Sequence, residues 1–304
     1  MFLSTHLAAA AVFPASPAPE PGDWAVQLAD EAVLALVEEA QLTPKPALVD
    51  RRGSGAHRDL DLPLMLRSAH ALRPAFTRMA LAARGMVAGQ ELRERLAAIG
   101  RHGEAEMMAA TGGCNSHRGA IWALGLLIAG GVLDGRGDAA GIAGRAGAIA
   151  RHADRHAPQI FSNGRRAAAK YGAGGARREA EEGFPHAVDI GLPALRSARG
   201  RGLSETVARV EALLSIMASL TDTCLLHRGG PPALETARRG AAAVLAQGGI
   251  ATPAGQARFE TLERDLLALN ASPGGAADLL AATLFLDRLD ARHASQSSQP
   301  RSWR

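Results

Sequence analysis

Apolar residues recur every three or four positions along most of this 304-residue chain, and no segment alternates with period two over a useful length. In 24–41, the residues on one helical face are Ala25, Leu28, Ala32, Leu36 and Ala40. Aromatic residues make up only 4% of the chain, so side chains that favour strands are scarce. The sequence therefore predicts an all-α fold, built as a compact multi-helix domain.

Prolines and glycines divide the chain into predicted helices. After 24–41, a second helix is expected to start at Pro63 and to kink at Pro74, because proline suits a first turn and disrupts a helix interior. The remaining predicted helices cover 89–110, 118–133, 138–154, 204–222, 232–247, 255–269 and 275–292. We predict a disordered Ala/Pro-rich tail over 1–22, a single helical domain over 23–293 and a disordered tail over 294–304.

Charge and cysteine content narrow the class of partner and the compartment. The net charge is +4, but the basic residues are mixed with acids and form no long run, which favours polyanionic small molecules over nucleic acid. Two distant cysteines indicate neither a disulfide framework nor a zinc site, and they fit a reducing compartment. The most apolar segment, 119–133, is shorter than the roughly 20 residues that cross a bilayer. We expect a cytoplasmic protein with no nucleic-acid or membrane partner.

Five segments between the predicted helices combine glycines with charged or hydrogen-bonding side chains. They are 42–62, 111–119, 170–186, 221–232 and 269–280. Glycine allows close backbone approach to a ligand, and ordinary connectors need neither glycine nor this much charge. We expect these loops to line a central cleft for a phosphorylated ligand, although each residue alone is equally compatible with a surface ion pair or a solvated loop.

The first of these segments, LTPKPALVDRRGSGAHRDLDL, is the most highly charged. Its two prolines are expected to hold an extended, ligand-facing loop. His57 has no second His or Cys at ligand spacing, so Mg²⁺ held by carboxylates, water and phosphates is the metal that the segment favours. The candidate phosphate partners are Lys45, Arg51, Arg52 and Arg58, and the candidate oxygen ligands or bases are Asp50, Asp59 and Asp61.

Two further segments predict exposed helix N-termini, which attract anions. In GGCNSHRGA, Asn115 or Ser116 can cap a helix while His117 and Arg118 supply donors. In ASPGGAADLL, Ser272 is the expected cap, and Asp278 would fall near the first turn, where a negative side chain is also simply stabilising. Capped structural helices explain both patterns about as well as ligand binding does.

Two acids, Glu38 and Glu39, end the first helix just before the charged loop. One of them is expected to face inward beside Leu36 and Ala40, where burial would raise its affinity for a proton. An ordinary acid on the helix surface is the alternative interpretation.

Taken together, these blocks resemble the triphosphoribosyl-dephospho-CoA synthase family. The blocks that carry the resemblance are EEAQLTPKPALVDRRGSGAHRDLDL, GGCNSHRGAIWALGLL, YGAGGARREAEEGFP, DTCLLHRGG and NASPGGAADLLAATLFLD, and they extend over about 31–290. The context RRGSGAHRDLDLPLMLRSAHALRP is more similar to the malonate decarboxylase branch than to the citrate lyase branch. Cys224 stands where the family commonly has asparagine, which puts the role of Asp222 in doubt.

The resemblance implies a pentosyltransferase that makes 2'-(5''-triphosphoribosyl)-3'-dephospho-CoA from ATP and dephospho-CoA and releases adenine. The product would pass to an acyl-carrier-protein holo-synthase. The implied roles are catalysis by Glu39, Asp50, Asp59 and Asp61, Mg²⁺ binding by Asp59, Asp61 and Asp222, and substrate binding by Lys45, Arg51, Arg52, His57, Arg58, Asn115, His117, Arg118 and Ser272.

Two other functions stay open. An N-glycosidic hydrolase, of the nucleosidase or ADP-ribosyl hydrolase type, would break the same bond but use water as the acceptor. A non-catalytic CoA-binding protein or carrier-protein chaperone would use the same loops for recognition alone.

Overall fold

A computed structural model describes residues 22–133, 137–158 and 162–297, and side chains as far as residue 293. The helices, in chain order, are α1 Asp23–Gln41, α2 Leu62–Ala71, α3 Arg73–Ala83, α4 Gln90–Ala110, α5 Arg118–Leu133, α6 Ala139–Ala150, α7 Asn163–Tyr171, α8 Gly175–Glu181, α9 Leu192–Gly200, α10 Glu205–Ser219, α11 Thr223–Ala246, α12 Pro253–Ala268 and α13 Gly274–Ser297. A π-helical turn, His186–Gly191, precedes α9, and a 3₁₀ turn, Gly249–Ala251, precedes α12.

The described residues contain no β-strand, only an isolated bridge between Asp50 and Gly53, so the all-α prediction is confirmed. Most of the helices predicted from apolar periodicity are present, with ends shifted by a few residues. Proline at position 74 does not kink a helix. Instead, the chain breaks at Leu72, and Pro74 stands in the first turn of α3, where its missing amide proton costs nothing.

Periodicity failed where helices are short and polar. Segment 170–186, predicted to be non-helical, contains α8 and the end of α7, and segment 221–232 contains the start of α11. Of the side chains of α7, only Ala167 is buried, so the sequence shows no apolar face from which the helix could be predicted. Ser162 starts it by accepting from Arg165 N, and Gly172 ends it in the left-handed conformation. In α11, Gly230 has φ of 66° and marks a kink just before two prolines.

The most apolar helix, α5, lies in the core as predicted. Its buried residues run from Ala120 to Gly130 with few gaps, and it packs against α3, α4, α6 and α13. One contiguous cluster of buried apolar side chains reaches from Ala25 in α1 to Leu289 in α13. Burial on all sides explains why this stretch lacks the polar face of a surface helix.

The search for membrane-spanning helices covered the described residues only. No single helix there has the length and apolar composition to cross a bilayer. The pair Glu205–Ser219 and Thr223–Ala246 meets those two criteria only when joined, and it is bent by 64°.

The predicted tails fall mostly outside the described residues. Within 1–22, the structure describes only Gly22. Residues 298–304 also lie outside the described residues. Residues 294–297, predicted to be disordered, instead continue α13 to Ser297. The single-domain boundaries 23–293 stay a prediction.

Candidate functional site

The segment 42–61, between α1 and α2, folds back on itself. Lys45 N donates to Asp50 Oδ2 at 2.9 Å, and Ala56 N donates to Ala47 O at 3.0 Å. Gly55 has φ of +56°, and a Cβ there would lie 2.5 Å from Ala47 O, so only glycine fits. Residues 45–50 are all buried. The prediction of an extended loop is therefore wrong for this half of the segment.

This inward fold buries a lysine against the carboxylate that ends α1. Lys45 Nζ lies 2.6 Å from Glu39 Oε1 and donates to the Glu39 carbonyl oxygen at 2.7 Å. Neither side chain is more than 4% exposed. A buried ion pair of this kind survives desolvation only when each partner satisfies the other, so Glu39 and Lys45 depend on one another. The expectation that one of the two terminal glutamates faces inward is confirmed for Glu39.

A second carboxylate, Asp222, connects the starts of α11 and α13. Its Oδ1 accepts from Cys224 N at 2.7 Å, and its Oδ2 accepts from Ala276 N at 3.0 Å. Burial raises the pKa of Asp222, and these amide bonds oppose the increase. The neighbouring Cys224 has its pKa raised well above the usual value by burial and then by the charge of Asp222, so it remains a thiol.

The third carboxylate, Asp278, lies on α13 and is affected by both of the others. Burial raises its pKa well above the usual value, the negative charges of Glu39 and Asp222 raise it further, and a bond from the Ala120 amide opposes them. Gly119 in α5 leaves the space for this side chain, because a Cβ there would lie 2.0 Å from Asp278 Oδ2. Asp278 as a residue keeps partial exposure to solvent.

The elements that meet at this carboxyl cluster, defined as Glu39, Asp222 and Asp278, are the C-terminus of α1 and the N-termini of α11 and α13. The N-terminus of α5 contributes Gly119 and the Ala120 amide. Helix N-termini carry partial positive charge and unpaired amide protons, which is why carboxylates are tolerated there. With Lys45 as the buried cation beside Glu39, the cluster holds more negative than positive charge when it is fully ionised.

His117 precedes α5 and brings a neutral imidazole to the same region. Ser68 Oγ lies 2.6 Å from its Nδ1 and 2.6 Å from Ser116 Oγ. Burial, and then the charge of Lys45, lower the pKa of His117 to about 4. Within the described part of the chain its Nε2 is buried without a hydrogen-bond partner, a cost that proteins rarely accept away from functional sites.

His57 and Ser272 form a separate contact that connects the first loop to α11 and α13. Arg228 Nη2 lies 2.9 Å from His57 Nδ1. Because arginine can only donate, Nδ1 accepts, and the proton on Nε2 points to Ser272 Oγ at 3.0 Å. Burial and the charge of Arg228 lower the pKa of His57 to about 4. In this tautomer His57 cannot take a proton from Ser272 at Nε2.

The structure does not bring the remaining predicted site residues to the carboxyl cluster. Arg51 donates to Gln41, Arg52 bridges Asp50 and Glu263 at 2.8 and 2.7 Å, and Arg118 pairs with Glu104 at 3.0 Å. Arg58 and Asn115 are exposed. Asp50 is buried, but Lys45 N and Arg52 hold its carboxylate. The roles of these residues in substrate binding and catalysis stay predictions.

The predicted metal trio does not form one site. Over the described ranges, no three His, Cys, Asp or Glu side chains are placed to hold a metal ion by themselves. Asp59 has a side chain that is 61% exposed, and Asp61 is an exposed cap that accepts from Leu64 N at 2.8 Å. Asp222 is buried at the start of α11 instead. Capping accounts for Asp61, as the Ser/Thr/Asp preference at helix starts predicts.

Two surface cavities lie elsewhere. One of about 270 Å³ is lined by Glu38, Gln41, Leu42, Thr43, Arg51, Glu205, Thr206 and Arg209, and one of about 730 Å³ by Gly137, Asp138, Arg196, Arg199, Asp287, Asp290, Ala291 and His293. Neither includes a residue of the carboxyl cluster. The predicted central cleft stays a prediction.

Asp278 is the residue that sequence reasoning undervalued, because helix capping explained it equally well. One signal could have distinguished it. It is the sole charged residue between Gly274 and Leu286, in a run of small and apolar residues. A lone acid inside an apolar run is expected to be at least partly removed from solvent, and such acids are unusual outside functional sites.

Comparison with known proteins gives a consistent result. The sequence model of a family described as ATP:dephospho-CoA triphosphoribosyl transferase matches residues 25–297. A probable 2-(5''-triphosphoribosyl)-3'-dephosphocoenzyme-A synthase of Stutzerimonas stutzeri is 57% identical over 87% of this chain and 92% of its own length. A protein of Klebsiella pneumoniae named as that synthase is 53% identical over 86% of this chain and 94% of its own length. No solved structure matches.

Proposed function

We propose a mechanism for this chain on the premise that it belongs to the ATP:dephospho-CoA triphosphoribosyl transferase family. The resemblance predicted from the sequence blocks is thereby confirmed, and the chain is a transferase. In the proposed reaction, the bond between the ATP ribose C1'' and adenine breaks, and a bond forms between C1'' and the 2'-hydroxyl oxygen of dephospho-CoA. The hydroxyl proton is lost and adenine gains one, so the products are triphosphoribosyl-dephospho-CoA and neutral adenine.

The observation that carries this proposal is the buried contact of Glu39 and Lys45 at 2.6 Å beside Asp278, a carboxyl group with a raised pKa. When adenine leaves, positive charge develops on the ribose, as in glycoside cleavage, and a fixed carboxylate stabilises it. Lys45 Nζ holds Glu39 Oε1 at 2.6 Å and fixes its position, so Glu39 is the carboxylate that we place toward the ribose. A water-poor site strengthens this interaction because the effective dielectric constant is low.

His117 is proposed to contact the bound ATP through Nε2, which lacks a partner among the described residues. Its pKa of about 4 keeps the imidazole neutral at pH 7, so it acts as a hydrogen-bonding group and not as a charge. Lys45 affects His117 electrostatically, so a phosphate oxygen that accepts from His117 Nε2 would lie near one cation, and Mg²⁺ would have to balance the rest of the triphosphate charge.

Mg²⁺ suits the carboxyl cluster, because it typically takes one or two protein carboxylates and completes its shell with water and phosphate oxygens. Asp222 and Asp278 would hold it, since the mutual repulsion that raises the pKa of Asp278 would be relieved by a divalent cation. When bound, the ion supplies neutralisation of the triphosphate charge. The residues of the chain then need only to orient the ribose and to exclude water.

The destination of the product is also proposed from the sequence. The 51–74 context favours the branch that serves malonate decarboxylase, in which an acyl-carrier-protein holo-synthase would take the product. We also propose a cytoplasmic location, with which the two free thiols Cys114 and Cys224 are compatible.

One experiment tests the reaction. The protein is incubated with ATP, Mg²⁺ and dephospho-CoA. Adenine is then quantified by chromatography, and the mass of the CoA product is measured by mass spectrometry. We expect adenine and the triphosphoribosyl product in equal amounts, and little adenine when dephospho-CoA is left out. Adenine released from ATP alone would indicate the hydrolase, and tight dephospho-CoA binding without adenine would indicate the non-catalytic binding protein.

Gly119→Ala tests whether the position of Asp278 matters to this reaction. The added methyl group would overlap Asp278 Oδ2, so the carboxyl must move, and a displacement of about 1 Å can cost about 10²-fold in rate. The control is Gly144→Ala in α6, where a Cβ meets nothing within 4 Å and the protein is expected to gain up to about 1 kcal/mol. Unchanged adenine release in Gly119→Ala would show that the placement of Asp278 is not critical.

A further inference from the structure

Arg93 in α4 is a buried cation without a counter-ion. Its side chain forms no ion pair or hydrogen bond with the described residues, its Nε is buried and unpartnered, and the residue is only 9% exposed. Arginine is almost never buried unless it is paired, because an uncompensated charge is costly away from water. Other arginines of the same helix are paired. Arg101 lies 2.6 Å from Asp154, and Arg95 lies 2.6 Å from Glu91.

The surroundings of Arg93 are aromatic and basic. Its guanidinium carbon lies 4.8 Å from the ring centroid of Trp122 in α5. Burial lowers the pKa of Arg93, the charge of Asp154 opposes that decrease, and the positive charges of Arg177 and Arg101 lower the pKa further, with Glu94 opposing them. The Asp154 carboxylate is itself engaged by Arg101 at 2.6 Å, so the nearest acid is already held by another guanidinium.

Helix α8 contacts both Trp122 and Thr223, the residue that follows Asp222 of the carboxyl cluster. Trp122 is one turn beyond Arg118 at the start of α5, and its Nε1 donates to Ala176 O at 3.0 Å. The preceding residue, Gly175, packs on Thr223, since a Cβ there would lie 3.2 Å from Thr223 Cγ2. Thr223 directly follows Asp222. This chain of contacts connects the Arg93–Trp122 pair to the carboxyl cluster through the start of α8.

Access is available from the side of Trp122, which is partly exposed, and Arg177, which is exposed. Arg177 pairs with Glu181 at the surface, where such pairs contribute little and exchange readily for a better partner. The guanidinium groups of Arg93 and Arg177 have the planar donor geometry that matches phosphate oxygens.

We propose that Arg93, Trp122 and Arg177 form a binding site for a phosphate group of one of the two substrates. This inference rests on the proposed function in one respect: it takes ATP and dephospho-CoA as the ligands that carry the phosphate. Arg93 is its anchor, and the phosphate supplies the missing counter-ion.

The test measures the dissociation constant of ATP and, separately, of dephospho-CoA by isothermal titration calorimetry, with Arg93→Met as the variant. We expect affinity for at least one ligand to fall by about tenfold or more, which is the usual value of a charge-assisted hydrogen bond. A loss for ATP alone assigns the site to the triphosphate, and a loss for dephospho-CoA alone assigns it to the diphosphate. The ligand-free variant is expected to melt at the wild-type temperature or above, because it no longer buries an unpaired charge.

Arg95→Met is the matched control, since it removes an exposed arginine from the same helix and should leave both affinities unchanged. Should Arg93→Met fail to fold, Arg93→Lys keeps the charge and the aliphatic stem but loses the planar fork, and weaker binding is again expected. Wild-type affinity for both ligands in the folded variant would overturn the proposal. Because binding is measured without turnover, a wild-type protein that releases no adenine would refute the proposed function and leave this site standing.

Discussion

Asp278→Asn is expected to lower the rate of adenine release by about 10²-fold or more while leaving the free energy of unfolding unchanged or slightly higher. Asparagine keeps the shape and can still accept the bond from the Ala120 amide, but it cannot carry charge or a transferable proton. The stability gain follows because Asp278 is partly buried near Glu39 and Asp222, whose negative charges oppose its ionisation. Steady-state kinetics and urea unfolding provide the two measurements.

Asp287→Asn is the control for this prediction. Asp287 lies on the same helix, nine residues further along, and pairs with Arg199 at 2.6 Å away from the carboxyl cluster. Its replacement should leave adenine release intact and lower stability slightly, as expected for a partly exposed ion pair. If Asp278→Asn retained near-wild-type activity, the carboxyl cluster would not be the reaction site.

Lys45→Met is expected to lower the free energy of unfolding by about 3–5 kcal/mol and to abolish activity. The substitution leaves Glu39 buried without its counter-ion, which is the costly way to break a buried pair. The double variant Lys45→Met with Glu39→Leu should recover most of the lost stability, because two apolar side chains of similar volume replace the pair. It should remain inactive.

This combination separates structure from function. Denaturant unfolding of the two single variants and the double variant gives the coupling energy between Glu39 and Lys45. A folded, stable double variant without adenine release would show that the pair serves chemistry and not folding. A loss of less than about 1 kcal/mol in Lys45→Met would contradict the buried pair itself.

The long helices were predictable because their apolar residues are buried, on one face in α1 and on nearly all sides in α5. In α1 and α5 the apolar spacing alone set the helix within a residue or two of its observed ends. The same reasoning could not find α7 and α8, whose stability comes from caps and from packing against α11 and α5. Pro74 was misjudged because the effect of a proline depends on where the preceding turn ends, which is a three-dimensional property.

The candidate site divides in a similar way. Glu39, Lys45, His117 and Asp222 were chosen for their residue type and their place beside glycine-rich segments, and the structure buries all four. Asp59, Asp61, Arg51 and Arg58 were chosen by the same criteria and lie at the surface. Charge content in a loop therefore predicts that some residues turn inward, but it does not say which ones.

The amino-acid sequence by itself determined that this protein is all-α, that segments rich in glycine and charge separate several of its helices, and to which family it belongs. Periodicity and local composition are properties of neighbouring residues, so they can be read without a structure. Only the tertiary structure decided that Asp278, 239 residues from Glu39, would join it beside Asp222. It also decided that Arg93 would be buried against Trp122 without a partner. Both outcomes depend on which helix termini and faces pack together, and electrostatic interactions between distant residues exist only after that packing has formed.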